Sequence, residues 1–104
     1  MNKRIINRIS ATNSIFMECD IQQKLGKFMI KNDCMAHNAN RLTRVSKIFD
    51  IPIIATRHVQ KNFGDIDERI TSVTHPKRVL FDKTLFSMLE EPVLNHLKAQ
   101  TGRN

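Results

Sequence analysis

Tryptophan and tyrosine are absent from this 104-residue chain, glycine and proline number three each, and cysteine occurs twice. So few chain breakers argue against a loop-rich all-β fold. Cys19 and Cys34 are too few for a disulfide scaffold and lack zinc-ligand spacing, so a reducing intracellular compartment is the simpler expectation. The four histidines, His37, His58, His75 and His96, are dispersed. With no H-x-x-x-H, H-x-H or D-x-H pairing, neither a metal nor any other cofactor is expected. The apolar stretches run only a few residues, which excludes a membrane span or a secretory signal core. No Gly-rich phosphate loop is present.

What is there is ordinary globular material, 40% hydrophobic and 26% charged. The length allows one small domain with a thin margin of stability. Seventeen Lys and Arg against ten Asp and Glu give a net charge of +7. That excess raises nucleic acid as a partner, but the basic residues are scattered, from Lys24, Lys27 and Lys31 to Arg69 and Lys77. Without a basic run or stacking aromatics, the charge reads as solvated surface and no specific nucleic-acid partner is expected.

Residues 1–13 form a basic polar leader, with the turn-prone Ser10-Ala-Thr-Asn13; its first eight residues are free of acids and faintly like a transit peptide. The expected address is the cytoplasm, or the mitochondrion if the leader acts as a targeting signal. Residues 14–104 carry the folded unit. Ile15-Phe-Met17 reads as a short buried strand. Asp20 and Gln23 fit a capping box, and Asn32-Asp33 is a second N-cap signal. Beyond it Met35, Ala39, Leu42, Val45 and Phe49 recur at helical spacing, with Ala36 and Ile48 beside them and Arg41, Arg44 and Lys47 opposite, which predicts an amphipathic helix buried on its apolar stripe. Asp50 breaks that helix. Ile51-Pro-Ile-Ile-Ala-Thr56 and Arg78-Val-Leu-Phe81 read as two more strands, separated by a long surface excursion over 57–77. Pro92 suits a first helical turn, Leu94 and Leu97 a buried stripe, and Gly102 a C-cap. The order β-α-β-loop-β-α predicts right-handed crossovers and a parallel sheet.

Two polar residues stand where apolar runs end. Asp20 closes Ser14–Asp20 and Lys83 closes Arg78–Lys83, and strand carboxyl ends face the ligand crevice of an open α/β sheet. Asp20 there suits a general base, or it caps the following helix. Lys83 suits an electrostatic partner, or it is a surface lysine whose stem lies along the protein. Cys19, one residue before Asp20, is expected on the opposite sheet face as a small buried hydrophobe. Cys34 lies in a first helical turn, where its thiol pKa could fall, but nothing in the sequence places a base beside it.

Ser14-Ile-Phe-Met-Glu-Cys-Asp-Ile-Gln-Gln23, Ile51-Pro-Ile-Ile-Ala-Thr56 and Asp82-Lys-Thr-Leu-Phe-Ser-Met88 resemble the isochorismatase-like cysteine hydrolases, most closely the eukaryotic isochorismatase domain-containing proteins. Those carry Cys-Asp-x-Gln, Pro-Val-ϕ-ϕ-Thr (ϕ, apolar) and Lys-Thr-x-Phe-Ser-Met in the same order, and the similarity runs from about Arg8 to Ala99. The resemblance implies a Rossmann-like three-layer α/β/α fold whose six parallel strands lie in the order 3-2-1-4-5-6, here truncated to about three. It implies an oligomer acting on a small acid or amide through an Asp-Lys-Cys triad, with Asp20 as the acid and Lys83 as the lysine. The triad cysteine belongs to a Gly-ϕ-Glu-x-x-x-Cys segment beyond this sequence, so the chain as it stands is expected to be inactive. Its first strand should then be an exposed edge. Thr56-Arg57-His58-Val59 departs from the family's Thr-Glu-Gln-Tyr and changes charge at the pocket rim. The expected partners are a small-molecule substrate and further copies of the chain, with no membrane. The alternative is a non-catalytic binding module that homo- or hetero-oligomerises.

Overall fold

A computed structural model describes residues 8–100. The leader's first seven residues and the expected cap at Gly102 lie outside the described residues. Three parallel strands, β1 (Phe16–Cys19), β2 (Ile53–His58) and β3 (Arg78–Lys83), form a sheet in the order β1-β2-β3. Phe16 pairs with Ile53 and Cys19 with Thr56 across the first ladder; Ile53 pairs with Arg78 and His58 with Lys83 across the second. β2 is central, and its Ile53, Ile54 and Ala55 are all buried, as a strand covered on both faces requires. Each strand runs further toward the carboxyl end than the apolar runs that predict it, which end at Met17, Thr56 and Phe81. Those added residues are polar and are held by ladder pairing and site contacts, which leave no periodic signal.

The main crossover helix, α1 (Asn32–Ile48), begins where the second cap signal falls, but Asn32 and Asp33 are its first helical residues rather than its cap. Lys31 holds the cap position in a left-handed conformation with no side-chain cap bond. The buried face is also not the expected apolar stripe. Ala36, Thr43 and Ser46 are buried, whereas Leu42, Ile48 and Phe49 stay 56%, 77% and 59% exposed. Small residues let the helix approach the sheet closely, and the two hydroxyls are satisfied internally. Thr43 shares its proton between Ala39 O at 2.8 Å and the Glu18 carboxylate at 3.1 Å, and Ser46 donates to Thr43 O at 2.7 Å.

The excursion over 57–77 is structured rather than open. It holds two one-turn helices, α2 (Gln60–Phe63) and α3 (Glu68–Thr71). Asp67 caps α3 by accepting from Arg69 N, and Ile66 and Ile70 enter the core. α4 (Glu91–Lys98) follows β3, with Pro92 in its first turn as expected, but Val93 is its buried residue and Leu94 is exposed. Arg78 bonds to Glu18, which also meets Thr43 of α1, while Phe81 packs on His96 of α4 at 5.6 Å. Residues three apart on a strand face opposite ways, so α1 and α4 cover opposite faces of the sheet.

Candidate functional site

At the carboxyl end of β1 the backbone turns abruptly. Asp20 has φ +53°, a left-handed conformation that Asp tolerates better than most residues. No α-helix starts there. A 3-10 turn at Leu25–Phe28 follows, without a side-chain cap, so the capping role expected for Asp20 and Gln23 is not found. The Asp20 carboxylate instead accepts from Thr56 Oγ1 at 2.8 Å and pairs through its other oxygen with Lys83 Nζ at 2.7 Å. Strained backbone held by surrounding contacts is characteristic of sites rather than of scaffolding.

Lys83 is no surface lysine. Its side chain is 1% exposed, and its ammonium also donates to Leu85 O at 2.8 Å and Phe86 O at 3.0 Å. An ammonium has three protons to place, and these partners take all of them, which is what allows a charge to sit in so dry a position. The acid and the lysine that the sequence places at two strand ends therefore meet across the intervening β2, with Thr56 from β2 between them.

Gln22 supplies the frame. Its amide accepts from His58 N at 2.7 Å and donates to His58 O at 3.1 Å and Gly64 O at 2.8 Å, bolting the turn after β1 to the end of β2. Gly64 makes this possible with φ +79°, ending α2 where a Cβ would be strained. Beside it the His58 ring stacks between Phe63 at 5.8 Å and Phe86 at 5.3 Å. The extra positive charge expected at the rim is neutralised: Arg57 makes a two-pronged bond to Asp82 at 2.7 and 3.0 Å and a second ion pair to Asp65. The bond to Asp82 above all holds the Arg57 guanidinium firmly protonated.

Cys19 departs most from expectation. It is exposed rather than buried, and it lines the groove along β1. The regular alternation of the strand ends at Asp20, whose backbone is left-handed. Partial burial, then the Asp20 charge, pushes the thiol pKa up, so at neutral pH the sulfur keeps its proton. Cys34, at the start of α1, is exposed and has no part in this cluster. Gln22, Thr56 and Cys19 all belong to motifs visible in the sequence, but only the cross-strand register reveals what each one touches. Among the described residues no group of His, Cys, Asp and Glu could hold a metal ion.

A parallel sheet covered by helices on both faces, with its polar residues converging at the strand carboxyl ends, places the chain among open α/β folds whose ligands bind in that crevice. No protein-family model matches the chain. Its homologues are isochorismatase family proteins: Isochorismatase family protein 1B of Dictyostelium discoideum is 31% identical over 91% of this chain and 47% of its own length, and Isochorismatase domain-containing protein 2 of Danio rerio is 32% identical over 90% and 46%. The chain thus spans about half the length of the relatives it matches. Among solved structures, the MAR1 ribonuclease from Caenorhabditis elegans superposes with a TM-score of 0.83 at 30% identity, over 88% of this chain and 48% of that one. A hypothetical protein from Trypanosoma cruzi, at 22% identity and a TM-score of 0.77, shares the fold.

Proposed function

We propose that this chain carries the acid and lysine of an isochorismatase-like hydrolase site acting on a small acid or amide. Asp20 takes up the proton of a thiol nucleophile, and Lys83 fixes the carboxylate and offsets negative charge as it develops on the substrate. One observation carries the reading, the 2.7 Å contact of Asp20 with a lysine whose side chain is 1% exposed. Burying a charge without a compensating role is costly, and a strand-end acid held by a buried cation suits a proton-handling site. The family's Gly-ϕ-Glu-x-x-x-Cys segment is not among the 104 residues. Turnover is therefore expected once the chain is fused to the second half of a homologue that supplies it, and not from the chain alone.

In that fused protein, Asp20→Asn and Lys83→Met should each lower kcat/KM on small amides and enol-ether acids by about 100-fold or more. Near-normal turnover by either variant would remove that residue from the mechanism. RNA belongs in the same substrate panel, because MAR1 is described as a ribonuclease and this chain carries a net charge of +7.

A second reading, a non-catalytic interaction module, draws on a different feature. A groove of about 380 Å³ runs along β1 and is lined by Ile15, Met17, Leu42 and Thr43 among others. It opens beside β1, which among the described residues pairs with β2 alone. A fused protein that is folded and inactive on every substrate, yet binds a protein through this edge, would favour that module.

A further inference from the structure

Thr56 is completely buried in the central strand, and it grips Asp20 at two points. Its carbonyl oxygen accepts from Asp20 N at 3.2 Å, and its hydroxyl donates to Asp20 Oδ1 at 2.8 Å. The first bond ties down the backbone of a residue whose φ is +53°; the second ties down the carboxylate itself. A threonine hydroxyl has one proton to give, and at this distance it is committed to Asp20. β-branching leaves Thr56 few rotamers, and β2 has a strand on each side, so the donor has little freedom to move. Two other buried hydroxyls, on Thr43 and Ser46, donate to carbonyls of their own helix, Thr43 sharing its proton with Glu18. Thr56 sends its proton across the sheet, to the acid that closes β1.

Lys83 alone would not fix that carboxylate. One N–H on one oxygen is a single pivot, and either oxygen satisfies a compact point charge equally well. A carboxylate that turned both oxygens onto the ammonium would occupy the lone pairs that a base needs. With Thr56 on Oδ1 at 2.8 Å and Lys83 on Oδ2 at 2.7 Å, rotation is blocked, and each oxygen keeps a further lone pair in a set direction. We propose that Thr56 is the positioning residue of this site: it stops the Asp20 carboxylate from rotating onto the Lys83 ammonium and keeps it in the one orientation from which it takes the nucleophile's proton. The inference rests on the reading of Asp20 as the base, and Thr56 acts through Asp20 alone.

The 104-residue chain gives a readout that needs no turnover. Its Thr56 hydroxyl proton should exchange with water slowly enough to give a resolved NMR line, and Asp20→Ala should abolish that line while the amide spectrum stays dispersed. Turnover in the fused protein supplies the second test. Thr56→Val removes the hydroxyl and keeps the backbone bond, so kcat should fall about tenfold or more with KM unchanged, because substrate still binds and only the base is loose. Thr56→Ser keeps the hydroxyl and loses the methyl that stiffens its rotamer, so it should stay within about threefold. A threonine that merely packed would give the reverse order, since valine fills its place better than serine does. That reverse order would overturn the proposal, as would a missing hydroxyl line in the unmodified chain or one that survives Asp20→Ala. Normal turnover by Thr56→Val beside an inactive Asp20→Asn would also overturn it, and would leave Asp20 as the base. Normal turnover by Asp20→Asn would instead remove the acid from the mechanism, and Thr56 with it.

Discussion

Asp67 shows how much a single side chain can hold in so small a molecule. Its carboxylate accepts from Arg69 N at 2.9 Å, closing the first turn of α3, and forms a two-pronged pair with the Arg69 guanidinium at 3.0 and 2.7 Å. Arg69 in turn reaches Asp33 at 2.8 Å, while its carbonyl accepts from Asn40 of α1 at 2.6 Å. The bond to the Arg69 side chain, against some loss of solvation, holds the Asp67 pKa below the usual carboxylate range. A group with a depressed folded-state pKa contributes stability above its unfolded value and loses it as pH falls toward the folded one. The chain should therefore lose stability as acid is added below about pH 4. Asp67→Ala should cost about 1 kcal/mol at neutral pH, the usual worth of a cap, and should flatten that acid limb. Chemical denaturation at pH 7 and pH 3 tests both. An unchanged acid limb in the variant would assign the loss to other carboxylates.

Between the elements, the most exacting contact is the ion pair of Glu18 on β1 with Arg78 on β3, at 2.7 Å and with side chains only 10% and 15% exposed. Glu18 Oε2 and Arg78 Nε are buried without a hydrogen-bond partner, so the pair is incompletely satisfied. Burial of two charges recovers little net energy when some of their bonding capacity goes unused. Removing one partner and stranding the other is another matter. Glu18→Leu alone should destabilise the chain by about 3 kcal/mol, whereas Glu18→Leu with Arg78→Leu should be close to neutral or stabilising. Urea midpoints of the two single variants and the double variant close the cycle. Additive losses would show that the two charges do not depend on one another. The same pair explains why β1 does not read as a simple apolar strand: its inward charge is answered sixty residues away, by a residue that opens β3.

At the scale of the whole molecule, the sheet has a consequence for solubility. Among the described residues β1 is an edge only four residues long, and the exposed Leu42 and Ile48 lie on the helix that covers one face of the sheet, with the exposed Phe49 at its C-cap. Short strands and scattered charge blunt an edge but do not close it. The isolated chain should self-associate at micromolar concentration, and a net charge of +7 should make the effect grow with salt as repulsion is screened. Ile48→Glu with Phe49→Glu should shift sedimentation velocity profiles toward monomer. A monodisperse monomer at high salt, melting in one sharp transition, would mean that three strands and this surface suffice as they are.

The sequence by itself determined the class of fold and set Asp20 and Lys83 at the ends of apolar runs, while the strand order and the pairing of the two residues followed from the family resemblance. Period-2 and period-3.6 patterning, a proline at a helix start and polar residues closing apolar runs are local signals, and β2, α1, α4, Asp20 and Lys83 carry them plainly. Which face of α1 is buried could not be read that way. Its most apolar stripe faces out, because packing on the sheet favours the closely fitting Ala36, Thr43 and Ser46, and periodicity counts hydrophobicity rather than fit. The short helices over 57–77 escaped for a related reason, since one-turn elements are held by Asp67 and by core contacts rather than by their own pattern. The setting of Asp20 was likewise decided by tertiary structure: three residues from three different strand ends, Asp20, Thr56 and Lys83, meet only because parallel pairing sets their carboxyl ends side by side, and a left-handed turn at Asp20 ends the alternation of β1.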